Sequence, residues 1–112
     1  MALKTVKLEP ETQEKVEGTV TADSDLTGDT VEWSFPLTGE RPTTWDAGSW
    51  DGSATEDAST APSTWSQVTA SPLIGASGAT VELATGVTYD AYVRITDVPE
   101  IPVRRIGKVR IL

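Results

Sequence analysis

Thr30-Val31-Glu32-Trp33-Ser34-Phe35-Pro36-Leu37, residues 30–37, alternates apolar and polar side chains. Val31, Trp33, Phe35 and Leu37 fall on one side and Glu32 and Ser34 on the other. That period-two pattern belongs to a strand with one buried face. A tryptophan in the middle of such a strand is where immunoglobulin-like sandwiches place a core indole. Residues 87–96 repeat the pattern, with Val87, Tyr89, Ala91, Val93 and Ile95 against Thr88, Asp90, Tyr92, Arg94 and Thr96. The run before them, Leu83-Ala84-Thr85-Gly86-Val87-Thr88-Tyr89, resembles the tyrosine corner that leads into the penultimate strand of such a domain. The cysteines that commonly flank the tryptophan are missing, so the likeness is one of architecture.

Outward from these two runs, further strands are expected at about 4–9, 15–22, 64–70, 80–83 and 103–112. Asp23-Ser24-Asp25-Leu26-Thr27-Gly28-Asp29 and Ala84-Thr85-Gly86 read as turns. Residues 38–62 are rich in Gly, Ser, Thr, Ala, Asp and Pro and read as a long loop, with a short strand near 49–52. Residues 71–75 break the strand pattern at Pro72, and 97–100 read as a tight connection. Helix signals are nearly absent. The expectation is an all-β fold, an immunoglobulin-like antiparallel β-sandwich of about seven strands. Its 112 residues make one domain. A small closed barrel is the alternative that strand count alone leaves open.

Composition narrows the function. The chain has no cysteine, so disulfides, thiolate metal sites and thiol nucleophiles are excluded. It has no histidine, which removes the usual general base and the commonest metal ligand. No Gly-rich phosphate loop or nucleophile elbow stands in their place, so the sequence points away from an enzyme and away from any cofactor. The formal net charge of −8 opposes binding to nucleic acid or anionic membrane. No apolar run approaches the roughly 20 residues of a spanning helix. Met1-Ala2-Leu3-Lys4-Thr5 lacks the apolar core of a signal peptide, so no export signal is expected there.

Asp23, Asp25, Gly28 and Asp29 superficially match a calcium loop, but Thr27 and Ser34 occupy positions that need ligands. An Asp-rich turn bonding its own backbone is the better reading, and no metal site is expected. Acids crowd the first half of the chain, whereas Arg104, Arg105, Lys108 and Arg110 follow the last acid, Glu100. This asymmetry suits either contact between protein surfaces or cross-strand pairing inside the domain. Trp45-Asp46-Ala47-Gly48-Ser49-Trp50-Asp51-Gly52 sets two Trp-Asp pairs in a polar loop. A tryptophan there either folds back over the core or anchors a contact. The candidate protein-contact residues are therefore Trp45 and Trp50 in the loop and Arg104, Arg105 and Arg110 at the end.

Several stretches taken together resemble a known family. They are Asp29-Thr-Val-Glu-Trp-Ser-Phe-Pro-Leu37, Arg41-Pro-Thr-Thr-Trp45 and Gly48-Ser-Trp50. Gly86-Val-Thr-Tyr-Asp-Ala-Tyr-Val-Arg-Ile-Thr-Asp97 and Pro99-Glu-Ile-Pro-Val-Arg-Arg-Ile-Gly107 continue the likeness. These are similar to small virion structural proteins of actinobacterial tailed bacteriophages. The resemblance covers most of the chain beyond about residue 15, and Arg-Ile-Thr-Asp…Pro-Glu-Ile-Pro-Val-Arg-Arg is its most distinctive run. It implies a non-enzymatic immunoglobulin-like module of the virion, made in the host bacterial cytoplasm. A capsid decoration, or minor capsid, protein is the first expectation. A head–tail connector or tail-associated protein is the second. An adhesin-like module for a host-surface glycan or receptor is a separate alternative. The implied partners are the major capsid protein or other virion proteins, and neighbouring copies of the chain, with no nucleic acid and no membrane.

Overall fold

The computed structural model describes residues 4–59, 61–96 and 101–112. In chain order the strands are β1 (Lys4–Leu8), β2 (Gln13–Glu14), β3 (Glu17–Ala22) and β4 (Thr30–Ser34). There follow β5 (Asp46–Ala47), β6 (Ser49–Trp50), β7 (Thr55–Asp57) and β8 (Thr64–Ala70). The chain then runs through β9 (Ile74–Gly75), β10 (Val81–Glu82), β11 (Thr88–Thr96) and β12 (Val103–Ile111), with no helix among the described residues.

One sheet has the order β1-β12-β11-β4-β5 and the other β3-β8-β6, with β7 also paired to β8. The β3-β8-β6 and β4-β11-β12 neighbours reproduce the two sheets of an immunoglobulin-like sandwich. β1 runs parallel to β12, while β11 runs antiparallel to both β12 and β4. A small third sheet, β10-β9-β2, ties residues 13–14 to the segment around 74–82. The sheets keep separate edges, so the fold is a sandwich and not a closed barrel.

Twelve strands replace the expected seven or so, because half of them are pairings of two or three residues. β5, β6 and β7 thread through the stretch that reads as a long loop. β9 lies in the segment that Pro72 interrupts. The strand expected over 15–22 starts at Glu17, since at Val16 the chain has left the small sheet and turns its N–H to Ser71 Oγ at 2.9 Å. β4 stops at Ser34 because Pro36 cannot donate to a ladder. Leu37 then keeps an isolated bridge to Tyr89 and stays exposed, and does not join the core. The connection expected at 97–100 lies outside the described residues.

The core lies where the alternation predicts. Val31 and Trp33 of β4, Val93 and Ile95 of β11, Val109 and Ile111 of β12, and Val20 of β3 are all buried. Trp33 stacks on Phe35 with ring centroids 5.9 Å apart. Burying a tryptophan removes roughly 150–250 Å² from water, worth about 4–6 kcal/mol. Its Nε1–H donates to Thr69 Oγ1 of the opposite sheet at 3.1 Å, and Thr69 Oγ1 donates onward to the Ser49 carbonyl at 2.9 Å. Both polar groups are thereby satisfied inside the core. The tyrosine corner is present: Tyr89 Oη accepts from the Ala84 N–H at 2.8 Å. The buried Gln67 pins the 23–29 turn to β8, accepting from Leu26 N at 2.8 Å and donating to the Val20 carbonyl at 3.2 Å.

Candidate protein-binding face

The outer surface of the five-stranded sheet is set by register. On β11, Thr88, Asp90, Tyr92 and Arg94 point away from the core side chains Ala91, Val93 and Ile95. Arg110, Lys108 and Arg105 of β12 stand directly opposite Thr88, Asp90 and Tyr92. Thr5 and Lys7 of β1 pair with Lys108 and Arg110. On the other side of β11, Glu32 of β4 stands opposite Arg94. Lys7, Arg94, Arg105, Lys108 and Arg110 are thus collected on one face of an acidic chain.

A β-bulge makes this possible. The pairing of β11 with β12 shifts between Ala91 and Tyr92, where Ile106 is the extra residue. Below the bulge, Gly107, Val109 and Ile111 are buried. Above it the phase changes, so Arg105 comes opposite Tyr92 on the outer side. Arg104 comes opposite Val93, on the other side of the strand, and is exposed.

Arg94 organises one end of the face. Its Nη2 lies 2.7 Å and its Nε 3.1 Å from Glu32 Oε1. Its guanidinium carbon sits 4.6 Å from the centroid of the Trp45 ring, a cation–π stack. Trp45 is half-buried. Trp50 does something different. Its Nε1–H donates to the Asp29 carbonyl at 2.8 Å, and its ring packs against the core. Of the five candidate contact residues, Trp45, Arg105 and Arg110 share the outer face. Trp50 and Arg104 do not.

Beneath the cations lies a residue that the sequence reading placed only as an outward strand position. Asp90 has no exposed surface. Its Oδ2 accepts from Gly39 N at 3.1 Å and lies 3.8 Å from Arg105 Nη1. Its Oδ1 lies 3.5 Å from Lys108 Nζ and has no hydrogen-bond partner. The 36–40 loop roofs it over, with Asp90 N donating to the Pro36 carbonyl at 2.9 Å. A buried carboxylate is tolerated when cations neutralise it, and it holds them in place in return. Arg110 is steadied separately, its Nη1 donating to Thr88 Oγ1 at 3.1 Å. Asp90, Glu32 and Thr88 thus tie four of the cations to the face, with Arg105 and Lys108 still partly exposed.

Elsewhere the acids serve local structure. Asp25 Oδ1 accepts from both the N–H and the hydroxyl of Thr27, which holds its carboxyl below the ordinary range. Asp57 is held low in the same way by Ser59. Glu17 is raised, because its carboxyl shares a hydrogen bond with Asp51 and is repelled by it. Among the described residues no three acids gather where they could hold a metal ion. Compared with known proteins, the chain matches no family model, no curated protein and no solved structure.

Proposed function

We propose that this protein is a non-enzymatic bacteriophage virion structural protein, a capsid decoration or minor capsid protein that binds the assembled shell. The observation that carries the binding mode is the array of Lys7, Arg94, Arg105, Lys108 and Arg110, with Trp45 stacked at its end, on a chain of net charge −8. A basic and aromatic sheet face suits an acidic protein surface: arginine and tryptophan are enriched among residues that carry binding energy. Its cations are dispersed and partly neutralised by Asp90 and Glu32, which fits a protein surface better than a run of phosphates. The virion assignment rests on the resemblance of residues 29–50 and 86–107 to actinobacteriophage structural proteins.

The test is proteomics of purified particles together with labelling of this protein in particle images. Many copies distributed over the shell support decoration. Copies confined to one vertex favour a connector or tail position. Absence from purified virions overturns the reading. So does saturable binding of the isolated domain to host cell-wall glycan with none to particles.

A further inference from the structure

The three-stranded side of the sandwich ends at β3, and the polarity of that edge is fixed by its hydrogen bonds. Ser71 N donates to the Val16 carbonyl at 2.8 Å, and Gln67 Nε2 reaches the Val20 carbonyl at 3.2 Å. In an antiparallel ladder the hydrogen-bonded residues alternate. The backbone groups of Gly18, Val20 and Ala22 therefore face β8, and those of Glu17, Thr19 and Thr21 face outward. Among the described residues no further strand takes them up.

A cavity of ≈ 360 Å³ runs along this edge. Glu17, Thr19 and Thr21 line its β3 side, and Val6, Ile106 and Val109 contribute apolar walls from β1 and β12. Among the described residues β1 is the free edge of the facing sheet, so the two open edges flank the cavity. Edges of this kind are commonly guarded by lysine, proline or inward charge. β1 carries Lys7. β3 reads Glu-Gly-Thr-Val-Thr-Ala and carries neither lysine nor proline.

We infer that β3 is a docking edge for an extended segment of a partner protein, added as one more strand. Such a segment has small apolar residues at alternate positions, which turn inward over the cavity, and a lysine or arginine on the outer side across from Glu17. The free backbone groups specify an extended chain, because only a strand satisfies three alternating residues at once. The charge on the outer side follows from Glu17, the one acid of β3, whose carboxyl is repelled by Asp51 from across β8, so a cation on the added strand opposite it is favoured. β3 belongs to the other sheet from the basic face, although Lys108 also lines the cavity, and the inference does not depend on the virion assignment.

The test uses the full chain, isotope-labelled, with the synthetic heptapeptide Lys-Val-Thr-Val-Thr-Val-Lys and its counterpart carrying glutamate at both ends. The readout is amide hydrogen exchange and chemical shift by NMR. The lysine peptide is expected to slow exchange at the Glu17, Thr19 and Thr21 amides by roughly tenfold or more, as these join a ladder. The glutamate peptide is expected to bind more weakly. Thr19→Pro removes an outward N–H without touching the β8 ladder, so it is expected to keep the melting temperature and abolish the protection. Three outcomes overturn the proposal. They are no protection at millimolar peptide, protection confined to the basic face, and protection of β3 that rises with protein concentration alone, which would assign the edge to a second copy.

Discussion

On one side of the sandwich the chain itself crosses from sheet to sheet, leaving β5 at Ala47, passing Gly48 and entering β6 at Ser49. On the opposite side β1 and β3 end their sheets with a cavity of ≈ 360 Å³ along them. Each side has a glycine at its tightest point, and the two glycines teach the difference. A Cβ at Gly48 would strike the Trp33 ring, including Nε1 at 2.8 Å, and the Ala70 carbonyl at 2.9 Å. None of these can yield, because the indole is locked to Thr69 and the carbonyl belongs to β8. A Cβ at Gly18 would strike the far end of Ile106, a flexible side chain that also lines the cavity. One side is closed by packing and the other has room to move, which is the condition for accepting another chain.

The largest effect is expected at the closed side. Trp33→Ala should cost roughly 3–5 kcal/mol, as truncation of a core aromatic does. Against a total of about 5–15 kcal/mol this threatens folding itself. Chemical denaturation measures it. An unchanged midpoint would mean that Trp33 does not span the sheets.

The glycines come next. Gly48→Ala should destabilise by about 1–3 kcal/mol or more through overpacking against immobile neighbours. Gly18→Ala should cost less, about 1 kcal/mol or below, because Ile106 can swing toward the cavity. Equal losses in paired thermal melts would erase the contrast between the sides. Trp50→Phe should fall in the same lower range. It keeps most of the ring packing and loses the bond to the Asp29 carbonyl, worth about 0.5–1.5 kcal/mol.

Why some of this was legible in the sequence and some was not follows from the range of the interactions. Trp33 and Tyr89 could be read because a two-residue period and a corner motif are local. The strand at 64–70 could be read from its β-branched and aromatic residues, and it matches β8 at both ends. The strands expected near 49–52 and at 80–83 are there as β6 and β10, each cut to two residues, whereas β2, β5, β7 and β9 are too short to show a period and exist only because a partner strand is near. Asp90 alternates with core residues as an outward position should, yet Lys108, Arg105 and Gly39 bury it from distant parts of the chain. The bulge at Ile106 decides that Arg105 and Arg104 part company, and a run of Val-Arg-Arg-Ile-Gly gives no sign of it. The loop tryptophans were two alternatives in the sequence, and their backbone partners separate them: Trp50 has a carbonyl to bond, while Trp45 lies under Arg94.

The smallest effects are electrostatic, and they carry opposite signs on the two kinds of acid. Asp25 has a lowered carboxyl, so its contribution is present at neutral pH and is lost as pH falls through that lowered value. Asp25→Asn should therefore be less stable than wild type at neutral pH, with the gap closing in acid. Glu17 has a raised carboxyl, so its favourable contribution belongs to the protonated form and is lost as pH rises through the raised value. Glu17→Gln should be slightly more stable than wild type at neutral pH, and indistinguishable from it below the ordinary glutamate value. Melting temperatures of the three proteins across acid to neutral pH check both signs. Parallel curves would remove Glu17–Asp51 repulsion from the description of the β3 edge.

The most direct test of the proposed role is occupancy on purified particles of a Trp45→Ala, Arg110→Ala double variant, measured beside its melting temperature. Trp45 and Arg110 are both half-buried and neither neutralises Asp90, so the fold is expected to hold within about 1–2 kcal/mol. Occupancy is expected to fall about tenfold or more, since a stacked aromatic and a rim charge together contribute on the order of 1–3 kcal/mol to a protein contact. Full occupancy with an intact fold would contradict the account, because the basic face of the five-stranded sheet would then not be the surface that holds the protein to its partner.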